Sequence, residues 1–136
     1  MAFFEWKDSF NVGIEEIDRQ HRRFFEYLNE CNDLHSTGKD LTVSKELIEK
    51  LKNYAEKHFE YEEYLFNHIG YIETEAQINQ HGYFVLRVLD LEDEQIRGNQ
   101  ERLTSVLCFL RDWFLSHILE EDKKYAPFVI EYLSKV

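Results

Sequence analysis

Apolar residues recur at steps of three and four along this chain, the spacing that gives an α-helix one buried face. His21, Phe24, Phe25, Leu28, Cys31 and Leu34 make such a stripe, which predicts a first helix from about Asp18, a plausible N-cap, to Ser36. Leu47, Leu51, Tyr54, His58, Glu62 and Leu65 share a face of a second helix, about Thr42 to His68. A third runs from about Glu73 to Arg97. Val106, Leu110, Trp113 and His117 mark a fourth, about Asn99 to Leu119. Gly38, Gly70 and Gly98 follow the first three stretches, where glycine can take the left-handed conformation that ends a helix.

Short connections make sequential helices antiparallel. The expected fold is therefore all-α: an up-down-up-down antiparallel four-helix bundle with an N-terminal arm. Pro127 falls in the last segment, APFVIEYLSKV, expected as a short C-terminal tail folded back onto the bundle. One Pro and five Gly are too few turn signals for a many-stranded β fold, and 136 residues suit a single domain spanning 1–136.

A net charge of −11 repels phosphate backbones and anionic lipid surfaces, which argues against a nucleic-acid or membrane partner. Neither a signal-peptide pattern nor a run of about 20 apolar residues stands out, so the expected location is cytoplasmic. Cys31 and Cys108 lack metal-knuckle spacing and read as buried small hydrophobes.

Histidines on the apolar stripes are the informative departure, because burying an imidazole without a partner costs free energy. His58 and Glu62 stand four apart, so they lie about 40° apart on one helix face, one turn above the other. Gln77 and His81 repeat that spacing on the third helix, while His21 and His117 project from the first and fourth. Asp122 follows His117 by five residues, about 140° around a continuous α-helix. A helix ending near Leu119 would let Asp122 swing back toward the bundle axis. Nitrogen donors on four helices and two carboxylates outline a two-metal site. His68, about 80° off the His58 stripe, reads as a surface residue.

These residues resemble the hemerythrin family, specifically the small single-domain bacteriohemerythrins, over nearly the whole chain. The resemblance rests on Trp6, Val12, Gly13, Ile14, Ile17, Asp18, Gln20 and His21 in the arm and first helix. It continues through His58, Phe59, Glu62 and Glu63, then His117, Ile118, Asp122 and Tyr125. It implies two iron ions with a bridging oxo or hydroxo group, and O2 or another small diatomic or anionic ligand. Oxygen storage, transfer or sensing would be the function, with a possible reductase partner. By resemblance His21 and His58 hold the iron that binds O2, His81 and His117 hold the other, and Glu62 and Asp122 bridge.

The sequence departs from the family at Gln77, where the third helix would carry His-x-x-x-His. The amide oxygen reaches about as far as an imidazole nitrogen, so Gln77 can ligate directly, hold a metal-bound water, or be a tolerated change. The second outcome would favour a di-metal oxidase, peroxidase or NO-reactive enzyme on the same scaffold. Phe24 and Phe114 replace smaller aliphatic residues usual in the family. With Phe59, Trp113 and Ile118 they are the expected lining of the ligand pocket.

Overall fold

The computed structural model describes residues 3–37, 41–98 and 100–135, so Gly38 and Asn99 lie outside the described residues. Four long helices carry the fold: α1 (Glu15–Thr37), α2 (Leu41–Ile69), α3 (Thr74–Arg97) and α4 (Gln100–His117). A fifth, α5, spans Lys123–Ser134. α1 packs on α2 and α4, and α3 packs on the same two, which closes the antiparallel four-helix ring expected from the periodicity. Among the described residues, no helix is long and apolar enough to cross a membrane. Gly70 and Gly98 adopt φ of 64° and 70° directly after α2 and α3, the helix-ending conformation that a side chain would strain.

The predicted stripes form the core. Phe25, Leu28, Leu51, Leu65 and Leu110 are buried, and Cys31 is buried beside them. Cys108 is only half-buried, a correction to the expectation that both thiols are core. His68 is on the surface as expected, its Nδ1 bonded to the Tyr64 carbonyl at 2.9 Å.

Two boundaries differ from the sequence reading. α1 begins at Glu15, before Asp18, so Asp18 is a first-turn residue and not the N-cap. Its carboxylate accepts the backbone N–H groups of Val12 at 2.7 Å and Gly13 at 3.2 Å, tying the arm to the helix. Further out, Phe4 stacks on Phe25 with ring centres 3.8 Å apart.

The larger difference lies after His117. No turn ends α4 near Leu119: Ile118–Asp122 form a π-helical turn in which the Lys123 N–H reaches the Ile118 carbonyl, and the chain runs on into α5. The C-terminal segment is thus a helix packed on α2, not a tail. Pro127 lies inside it, where a missing N–H loses one backbone bond. Burial of Tyr125, Ala126 and Val129 against the bundle offsets that loss.

Candidate metal centre

The π turn sets the geometry of the site. Each turn of an i→i+5 helix holds more residues than an α-turn, so residues five apart come close to the same face. His117 and Asp122 therefore meet, Nε2 to Oδ1, at 3.2 Å, where a straight α-helix would point them apart. The sequence spacing indicated that the helix must change here. A wider turn makes the change without breaking it.

Around that point the four helices deliver the remaining side chains. His21 Nε2 lies 3.3 Å from Asp122 Oδ2, and Gln77 Nε2 lies 3.3 Å from Asp122 Oδ1, so the two oxygens of one carboxylate face different groups. Glu62 Oε1 sits between His58 Nε2 at 3.2 Å and His81 Nε2 at 3.4 Å. One donor atom each from His21, His58, Glu62 and Asp122 lies within 4.8 Å of the others. All seven residues predicted for the site converge at one level of the bundle. His21, Glu62 and Asp122 are 0% exposed, and Gln77 only 1%.

Outward hydrogen bonds fix how the rings present themselves. His58 donates Nδ1–H to Gln20 Oε1 at 2.6 Å, His81 to Glu63 Oε2 at 2.8 Å and His117 to Gln80 Oε1 at 2.7 Å. Each bond places the proton on Nδ1 and turns the Nε2 lone pair inward, as metal-ligating histidines require. Tyr125 donates its hydroxyl to Glu62 Oε2 at 2.5 Å, which holds the carboxylate in place. The orienting roles of Gln20, Glu63, Gln80 and Tyr125 escape the stripe analysis because none of the four shares a stripe with its partner. The available signal was adjacency: Gln20, Glu63 and Gln80 each neighbour a site residue in sequence.

The electrostatics suit cations. Burial raises the Glu62 carboxyl to about 7, and the nearby Asp122 charge pushes the same way. Burial opposes ionisation of Asp122 as well, yet the close approach of His117 and His21 lowers its pKa. Burial holds His58 down to about 4 and lowers His21, so both rings stay neutral with lone pairs available. The interior thus holds one ionised carboxylate, Asp122, and a second carboxyl, Glu62, whose ionisation an added positive charge would favour.

The decisive observation is a set of orphaned atoms. Nε2 of all four histidines, Glu62 Oε1, Asp122 Oδ2 and Gln77 Oε1 are buried without a hydrogen-bond partner. Leaving so many polar atoms unpaired is costly, and they face one another. Four imidazole nitrogens with carboxylate and amide oxygens are a donor set for first-row metal ions, so the residues present fit a metal pair.

An aromatic layer covers the cluster. Phe24 and Phe114 stack at 4.4 Å, with Phe114 5.6 Å from the His21 ring and 6.0 Å from the His58 ring. Phe59 lies flat on His81 at 4.0 Å, and Trp113 on His117 at 4.8 Å. Ile118 is fully buried. Phe84, absent from the predicted lining, joins the layer 5.2 Å from Phe114 and 5.8 Å from Phe59. It follows His81 by three residues, the same step that separates Phe24 from His21.

A four-helix bundle with a buried histidine–carboxylate cluster defines a metal-binding bundle protein. The family comparison makes that specific: residues 12–129 match the hemerythrin HHE cation binding domain, and the chain belongs to that family. It is 34% identical over 128 residues to a bacteriohemerythrin of Clostridium acetobutylicum, covering 90% of this chain and 98% of the relative. A bacteriohemerythrin of Pseudomonas aeruginosa is 31% identical over 136 residues, covering 100% of this chain and 88% of that one. The structure of wild-type hemerythrin superposes with a TM-score of 0.83 at 28% identity, over 94% of this chain and 98% of the other.

Proposed function

We propose that this protein is a non-heme di-iron protein that binds O2 reversibly, in the storage, transfer or sensing of oxygen. The orphaned inward-facing donors in a dry interior carry the reading. In it His21 and His58 hold one iron, His81, His117 and Gln77 hold the other, and Glu62 and Asp122 bridge them. The approach of Asp122 to His21 through one oxygen and to His117 through the other supports its bridging role. When bound, the ferrous pair supplies the electrons that let O2 bind and leave.

Gln77 enters as a ligand through Oε1. That atom is buried and without a hydrogen-bond partner, while the Nε2 of the same amide already donates to Asp122. One side chain then serves twice, giving an oxygen to the ion and an N–H hydrogen bond to the carboxylate beside it. Amide oxygen is a harder and weaker donor for iron than imidazole, so the second position keeps its ligand count with less donor strength.

The remaining residues tune the site. Phe24, Phe84 and Phe114 keep bulk water from the reacting side, which favours a small uncharged ligand over acids and solvent. Tyr125 holds Glu62, and its own hydroxyl stays protonated because burial raises its pKa well above the usual value.

Optical spectra of the anaerobically iron-loaded, reduced protein test the function. An absorption band that forms in air and disappears on degassing, over repeated cycles, is expected. A single irreversible oxidation would replace this reading with the oxidase or peroxidase alternative.

A further inference from the structure

The bundle carries a second feature, on its surface, that meets the metal centre only at Phe59, Glu63 and His81. Between α2 and α3 lies an open groove of about 340 Å³. Glu56, Glu60 and Glu63 line it from α2 at steps of four and three, and Ile78, Gly82 and Leu86 line it from α3 at steps of four. Ile78 and Leu86 are 41% and 55% exposed, so the groove presents apolar surface to solvent beside its acidic wall. No atom lies within 4 Å of where a Cβ on Gly82 would sit, so the floor is open there. Phe59 and His81 form the base, and His81 Nδ1 donates to Glu63 at the groove wall. A molecule seated in the groove is therefore one imidazole away from the buried donor atoms.

We propose that this groove is the docking site of a partner protein whose contact face is cationic around an apolar centre, an electron carrier that restores the ferrous state. Charge complementarity selects this occupant: the acidic wall and the net charge of −11 attract a basic face and repel a second copy of this chain. The apolar strip of Ile78 and Leu86 supplies the dry centre that such an interface needs inside its polar rim. Two encounters, each taking one electron from a reduced carrier and releasing it oxidised, supply the two electrons a ferric pair needs to become ferrous. The proposal rests on the di-iron reading for the partner's role but not for the place of contact.

A cationic c-type cytochrome is the probe, added to the full-length, iron-loaded protein. Hydrogen-exchange protection should centre on residues 56–63 and 78–89, with affinity falling steeply as salt rises. The double variant Glu56→Gln/Glu60→Gln should weaken binding about fivefold or more, as expected when wall charges are neutralised. Leu86→Ser should weaken it without changing the salt dependence. Glu30→Gln/Asp33→Gln, on a separate acidic groove between α1 and α2, is the control and should leave affinity unchanged. Equal loss in the control, protection centred elsewhere, no binding at all, or self-association through the groove would each overturn the proposal. Iron content measured on the same samples keeps the two readings apart: a chain that docks the probe but holds no iron defeats the di-iron function and leaves the docking site standing.

Discussion

The two halves of the metal centre are built from the same kinds of residue and braced very differently. In the half formed by His21 and His58 the ring centres are 4.6 Å apart, and His21 Nδ1 has no hydrogen-bond partner among the described residues. The half formed by His81 and His117 is wider, at 5.3 Å, and both rings are held twice: by Glu63 and Gln80 through Nδ1, and by flat stacking on Phe59 and Trp113. It also contains Gln77. On the proposed reading this is a division of labour: a firmly braced half with more donors, and a half with fewer donors beside Phe114 that would be left free to take a ligand.

The largest expected effect erases the comparison altogether. Glu62 touches both halves, so Glu62→Ala should reduce iron from about two per chain to nearly none, because a shared ligand is lost. Elemental analysis after anaerobic loading measures it. Retention of one iron would mean that Glu62 serves only one half.

Gln77 separates the halves. Gln77→Ala should weaken iron retention at one position by roughly 10- to 100-fold, while Gln77→His should strengthen it and slow loss of the oxygenated form. Iron release to a chelator, followed in both variants and the parent, shows a change in one of two kinetic phases. A change in neither phase would make Gln77 a bystander.

Bracing gives the next effect. Gln80→Ala removes the partner of His117 and should lower iron affinity by about tenfold at the low end of outer-partner losses. Gln20→Ala does the same to His58, so comparing the two shows whether each half depends on its own support. The smallest effect concerns access. Phe114→Leu should admit azide several-fold faster in stopped-flow measurements while costing roughly 1–2 kcal/mol of stability through the cavity it leaves. Equal azide rates would show that the ring does not gate the site.

Much of this architecture was legible in the sequence because the hydrophobic stripes report helix faces directly, and His21, His58, Glu62, Gln77 and His81 lie on straight helices where spacing fixes direction. The segment after His117 was harder. Five-residue spacing is incompatible with one α-helical face, and ending the helix is the simplest escape on paper. The chain instead widens one turn, a choice made by the burial of Asp122, Tyr125 and Val129 rather than by a local signal. Pro127 misled for the same reason, since tertiary burial overrides its local preference. The start of α1 was hidden because Asp18 resembles an N-cap while its carboxylate serves the arm. Gln20, Glu63 and Gln80 act across helix interfaces, which a single helix's periodicity does not encode.

Diffraction at the iron absorption edge tests the central claim most directly, on crystals of the anaerobically loaded protein. Two anomalous peaks are expected: one against His21 and His58, the other against His81, His117 and the Oε1 of Gln77, with Glu62 and Asp122 between them. A single peak, or a second one from which Gln77 turns away, would contradict the account of two unequal iron positions in one centre.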